Sequence, residues 1–190
     1  MKEYNIPQVE ILYQTPWISV RRLSNYSDDP SNTYDFLHED RCNSSIVALL
    51  PYKKSLNNRI SFLLRNEFTP AWSTAKLCLS SITGGVDGDE EDYLETVIRE
   101  LHEEAGILIP ENEQNRIEFL GVCKGTKSCD TNYQLFAIDV TGLEQEEPTT
   151  DGSYSESISN NQWFKDSDIS DVIDKALDPL VYVLLMKAGF

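Results

Sequence analysis

Apolar, β-branched and aromatic runs alternate with polar, turn-rich pieces along the whole chain. Runs at about 10–20, 45–52, 59–68, 77–83, 117–123, 132–140 and 160–165 predict strands, and stretches such as SDDPSN and KKSLNNR between them favour turns. The period changes in three places. Over about 90–105, 168–175 and 179–187 the apolar positions recur every three or four residues, which predicts helices. Strands in the majority, with one central and two C-terminal helices, predict an α/β fold in which helices cover a mixed sheet. No internal repeat, low-complexity tract or Gly/Ser linker interrupts the pattern, so one domain over 1–190 is expected. Within it the N-terminal strands lie at about 8–40 and the C-terminal helices at about 168–188. The longest polar connection, 141–159, has the length of a functional lid or of a disordered segment, and both readings stay open.

Composition narrows the function classes. The 190 residues are 40% hydrophobic and 25% charged, as in an ordinary globular protein. Sixteen basic residues face 32 acidic ones, a net charge of −16 that would repel a polyphosphate chain over most of the surface, so nucleic acid is not the expected partner. Carboxylates nevertheless collect divalent metal, and a bound cation reverses the local field, so a phosphorylated small molecule stays admissible. The densest apolar stretch, LVYVLLMKAGF behind Pro179, is too short to span a membrane. The opening MKEYNIPQVEILYQTPW carries an early Glu and a Pro and no apolar core of the signal-peptide kind, so a cytoplasmic location is expected. Four cysteines without a CxxC pair and two histidines argue against a zinc site.

Chemistry concentrates in 84–107, GGVDGDEEDYLETVIRELHEEAGI. A glycine pair and the acidic run Asp89–Asp92 supply a turn and then a helix start, where negative charge meets the positive end of the helix dipole. Leu94, Val97, Ile98 and Leu101 form the core-facing stripe, and Gly106 falls where a left-handed cap would end the helix. The opposite face carries Glu100, Glu103 and Glu104, related by i, i+3 and i+4, close to the negative end of the dipole. Like charges at that spacing cost about 0.2–0.5 kcal/mol per pair. A divalent cation would remove the cost, and hard carboxylate oxygens suit Mg²⁺ or Mn²⁺. A Glu-rich helix face is also, more plainly, solvated surface. Arg99 can pair with Glu95 and Glu103 four residues either way.

The complete pattern decides between those readings. Gly85, five residues, Glu91, seven residues, Arg99-Glu100-Leu101, one residue, Glu103-Glu104, one residue, Gly106-Ile107 is a full match to the 23-residue signature of the Nudix hydrolases, so the chain resembles that family with its box at 85–107. ILYQTPWISVRR, SSIVALLPY, FLLRNEFTPAW and ESISNNQWF resemble more weakly the subfamily that cleaves ADP-ribose and nucleoside diphosphate sugars. The resemblance implies an α/β/α sandwich, hydrolysis of a diphosphate joining a nucleoside to another group, and Mg²⁺ or Mn²⁺ as cofactor. Carried over by position, Glu100, Glu103 and Glu104 are the metal ligands, completed by the carbonyl of Gly84 or Gly85, while Glu91 and Arg99 steady the loop and the carboxylates. Glu156 is the candidate general base, with Glu100 its competitor. The resemblance also implies a homodimer joined through the N-terminal strands.

Two departures touch the substrate. Glu67-Phe68-Thr69-Pro70 stands where the subfamily has Gln-Phe-Arg-Pro, and no Ser-Pro-Gly follows the box. Lys124 and Lys127 are candidates to replace the lost positive charge, and Phe68, Trp72 and Tyr133 to stack on a base, although all five also suit surface or sheet packing. A diadenosine polyphosphate, a dinucleotide and an oxidised nucleotide are alternative substrates. A module that binds nucleotides without turnover is the alternative of another class, disfavoured by the intact box.

Overall fold

The computed structural model describes residues 7–29, 31–72, 76–86, 93–149 and 157–190. The strands are β1 (Gln8–Gln14), β2 (Ser19–Ser24), β3 (Tyr34–His38), β4 (Ser45–Lys54), β5 (Ile60–Glu67), β6 (Cys78–Ser80), β7 (Ile82–Gly85), β8 (Ile117–Lys124), β9 (Asn132–Asp139) and β10 (Asn160–Lys165). The helices bounded within the described residues are α1 (Tyr93–Ala105), α2 (Ile169–Lys175) and α3 (Pro179–Ala188). The chain groups into two compact units, one formed by the described residues of Met1–Ile46, Gly85–Glu91 and Val122–Tyr133, the other by those of Val47–Gly84, Asp92–Gly121 and Gln134–Phe190.

The first unit holds an antiparallel sheet in the order β1-β2-β3. The run at 10–20, expected as one strand, is a hairpin. Its turn is built at Thr15, whose Oγ1 accepts from the N–H groups of Trp17 at 3.2 Å and Ile18 at 3.0 Å, so a side chain and Pro16 break a run that looks continuous by hydropathy. The strand β3 had no counterpart in the apolar pattern. It ends on His38, which is 5% exposed; Asp130 Oδ2 at 2.8 Å and Ser44 Oγ at 3.1 Å both meet its Nδ1. Both partners share one ring nitrogen and Ser44 is buried, so this trio is a tether and not a proton relay to a nucleophile.

The second unit is built on a seven-stranded sheet, ordered β10-β5-β4-β9-β8, with β6 beside β5 and β7 beside β4. Strand β5 explains the layering. Phe62, Leu63, Leu64 and Arg65 are successive and all buried, so both faces of the strand are covered. The even face carries Phe62, whose ring stacks on Phe164 of β10 and on Phe190 just beyond α3, at centroid separations of 6.0 and 6.3 Å. The odd face carries Arg65, which meets Glu104 of α1. Helices therefore lie on opposite faces, the α/β/α arrangement that the resemblance implies. Helix α3 begins as its sequence dictates: Pro179 occupies the first turn and Asp178 accepts from Leu180 N–H at 2.9 Å. Asp178 also accepts from Ser81 N–H at 2.9 Å and Ser81 Oγ at 2.6 Å, which fastens the helix start to the β6–β7 connection.

Candidate active site

The described part of α1 runs from Tyr93, and Val97, Leu101 and Ala105 on its apolar stripe are fully buried. Glu100 was expected on the polar face, yet it is only 7% exposed. The reason lies across from it: a Cβ built on Gly84 would fall 2.0 Å from Glu100 Cδ and 2.1 Å from Oε1. The carboxylate is thus seated directly on the glycine backbone, in a place that any side chain at 84 would fill. A buried carboxylate and a peptide backbone brought together in this way make a cradle for a hard cation with oxygen donors. Carboxylate and carbonyl oxygens are the hard donors that Mg²⁺ and Mn²⁺ take. A Cβ on Gly85 would instead lie 2.9 Å from Cys42 Cβ, so that glycine is also required by close packing.

Two arginines organise the three carboxylates. Arg99 Nη1 lies 2.7 Å from Glu100 Oε1 and 2.9 Å from Glu103 Oε2, so one guanidinium holds two of the predicted ligands. Arg99 meets Glu103 as the spacing predicts, and Glu100 beside it. Glu104 is held separately: its Oε2 lies 3.0 Å from Arg65 Nε, and its backbone carbonyl accepts from Arg65 Nη1 at 2.7 Å. Among the described residues, no three acidic, histidine or cysteine side chains stand together as a ready cation site. The helix spacing brings the glutamates to one turn, and the arginines hold them there in two groups.

The end of α1 is fastened from three directions. Asn161 of β10 donates to Glu104 O at 2.7 Å, beside Arg65, and Gln145 Nε2 donates to Ala105 O at 2.9 Å. Gly106 takes the expected left-handed conformation, with φ +67°, its N–H donating to His102 O at 3.0 Å and its own carbonyl accepting from Glu146 N–H at 2.8 Å. Trp163 Nε1 in turn donates to Gln145 Oε1 at 2.8 Å. The stretch 141–159, too polar to find a core of its own, is therefore anchored over its first described part, because the unpaired carbonyls of a helix end offer polar partners. Arg65, Asn161 and Gln145 escaped the sequence reading. The available signal was Arg65 itself, a charged residue inside the apolar run ISFLLRNE.

The remaining predicted residues divide between the two units. Phe68 follows β5, half-buried, and Trp72, 38% exposed, closes the 3₁₀ turn Pro70–Trp72. In the other unit, Lys124 donates to Asn132 Oδ1, Lys127 carries the carbonyl that accepts from Tyr34 Oη, and the Tyr133 ring passes beside Gly125. Glu91 and Glu156 lie outside the described residues.

The family described as NUDIX domain matches residues 46–181, more than half of the chain. A NUDIX hydrolase structure from Listeria monocytogenes is similar in fold, with a TM-score of 0.53 and 18% identity over 76% of this chain and 90% of that one. A MutT/nudix family protein from Enterococcus faecalis aligns with a TM-score of 0.46 and 16% identity over 64% of this chain. The chain spans 43% of the length of that protein. No curated protein matches.

Proposed function

The chain belongs to the NUDIX domain family, and from that premise we propose that it is a Mg²⁺-dependent pyrophosphohydrolase of nucleoside diphosphate derivatives, with ADP-ribose or a sugar nucleotide as its preferred substrate. The observation that carries this reading is Glu100, a buried carboxylate seated on the Gly84 backbone one helical turn from Glu103 and Glu104. Glu100, Glu103 and Glu104, with the carbonyl of Gly84 or Gly85, would hold Mg²⁺ or Mn²⁺. When bound, the cation supplies charge neutralisation for the diphosphate and activation of water. Arg99 holds Glu100 and Glu103 through one guanidinium nitrogen. Glu91 steadies the loop before α1, and Glu156 takes the proton of the attacking water, Glu100 being the alternative base. Phe68, Trp72 and Tyr133 are the candidates to stack on the base, and Lys124 and Lys127 the candidates to neutralise the phosphates.

The protein works in this reading as a cytoplasmic homodimer. All seven residues of the edge strand β1 are exposed, Val9 at 55%, Ile11 at 50% and Tyr13 at 61% among them, and an apolar edge of that kind favours pairing. A molar mass of one chain in light scattering would refute the dimer.

The deciding experiment assays a panel of nucleoside diphosphate sugars, dinucleotides, diadenosine polyphosphates and oxidised nucleotides for released monophosphate, with Mg²⁺, with Mn²⁺ and with chelator. ADP-ribose or a sugar nucleotide should give the highest kcat/KM, and chelator should abolish turnover. Full turnover in chelator would refute the metal dependence, and tight binding without turnover would establish the binding module instead. Glu156→Gln should lower kcat by about 10²- to 10⁴-fold with little change in metal affinity. Unchanged kcat in that variant would transfer the base to Glu100.

A further inference from the structure

Arg65 is the largest fully buried side chain of the described residues, 2% exposed in the middle of β5. A buried guanidinium is costly unless its hydrogen-bonding atoms are matched, so what it meets explains why it is there. It reaches Glu104 twice, at the backbone carbonyl through Nη1 at 2.7 Å and at the side-chain Oε2 through Nε at 3.0 Å. Glu67 Oε1 lies 3.3 Å from the same Nε. The two contacts differ in kind. The one to the carbonyl is a directed hydrogen bond, while Arg65 Nε makes no aligned hydrogen bond and gives the carboxylates its charge. A carbonyl at the end of α1 could be capped by many donors, and Asn161 already donates to this one at 2.7 Å. The fork of an arginine is needed only if the side chain of the same residue must be held as well.

We infer that Arg65 is a positioning residue for metal binding: it fixes the main chain and one carboxylate oxygen of Glu104 together, so that Glu104 presents its other oxygen to a divalent cation. The inference rests on the proposed role of Glu104 as a ligand. Fixing both ends of one residue removes the rotamer freedom that a glutamate would otherwise lose on binding the cation. The compensation matters because Glu104 is 12% exposed in its side chain and stands on the same helix turn as Glu100 and Glu103. Without a cation on the sheet side, three like charges would turn Glu104 away toward solvent.

The test measures Mn²⁺ affinity directly, by calorimetry and by the loss of the free-ion paramagnetic resonance signal, in the purified full chain and in three variants whose folding is checked by circular dichroism and thermal melting. Glu104→Gln is the reference and should weaken Mn²⁺ binding. Arg65→Lys keeps the positive charge but cannot span the carbonyl and the carboxylate, and it should weaken Mn²⁺ by about 10- to 100-fold, the range for losing a group that orients a ligand. Arg65→Met should weaken it at least as much. If Arg65→Lys folds and binds Mn²⁺ as the wild type does, Arg65 is only a clamp on the helix end and the inference is overturned. If Glu104→Gln leaves the affinity unchanged, the ligand assignment fails first and takes the inference with it, a result distinguishable because it does not depend on Arg65.

Discussion

At the scale of single residues, Glu103 and Glu104 have the same chemistry and adjacent positions but different surroundings. Glu103 is 43% exposed in its side chain and pairs with Arg99 on the surface, whereas Glu104 is 12% exposed and faces a buried arginine. Charge spacing alone makes both residues liabilities whose neutralisation should relieve the fold. Arg65 reverses that expectation for Glu104. Glu104→Gln leaves a buried guanidinium short of one negative partner and should lose about 1–3 kcal/mol, while Glu103→Gln should change stability by less than about 0.5 kcal/mol. Urea unfolding of the two variants checks this, and equal midpoints would show that burial does not distinguish them. Gly84 supplies a second test. In Gly84→Ala the new methyl competes with the Glu100 carboxylate for one place, so Glu100 must move, and metal affinity should fall by about tenfold or more. Wild-type affinity in a folded Gly84→Ala would mean that Glu100 does not bind the cation from its seat on the glycine.

Elements were legible in proportion to how local their causes are. The three helices stand where the periodicity puts them, because a helix is decided by spacings of three and four and by caps such as Asp178 and Gly106. The hairpin hidden in 10–20 was missed because a hydroxyl turn is not visible to a hydropathy pattern. The strand ends carry their own electrostatics. Asp139 closes β9, accepting from Thr141 N–H at 3.0 Å with Lys54 Nζ 3.5 Å away at the end of β4. Burial alone would raise its pKa, but the hydrogen bonds of Thr141 and the charge of Lys54 outweigh it and hold the carboxyl below its ordinary value. A carboxylate lowered in the folded state stabilises above its unfolded pKa and loses that contribution as the pH falls through the folded value. Asp139→Asn should therefore be less stable than the wild type at neutral pH, and the difference should shrink once the pH passes below the ordinary carboxylate range. Urea midpoints at pH 7 and pH 3 measure it, and a difference that stays constant between them would refute the assignment.

At the scale of the whole molecule, the net charge of −16 sets a background against which any specific cation site must be recognised. Every salt reduces the mutual repulsion of the carboxylates, so a rise in melting temperature with Mg²⁺ proves nothing by itself. A site binds the folded state and stabilises it by mass action, about 2.7 kcal/mol at a hundred times the dissociation constant, beyond what ionic strength supplies. Mg²⁺ or Mn²⁺ should raise the melting temperature well above NaCl of equal ionic strength, and Glu100→Gln should abolish the excess. Equal shifts in the wild type and in Glu100→Gln would assign the effect to general screening.

By itself the sequence determined the α/β class, the helix of the box with its left-handed end, and the turn of helix on which Glu100, Glu103 and Glu104 meet, since each depends on residues within a few positions of one another. Tertiary structure alone decided what faces them. Arg65, Gln145 and Asn161 come from three separate stretches, and only the pairing of Asn161 with Arg65 across β10 and β5, with both on the odd face of the sheet, sets them against the end of α1. Spacing along the chain specifies which side of a helix or strand a residue occupies, but the partner on the far side is chosen by strand order and register, which the folded chain settles as a whole.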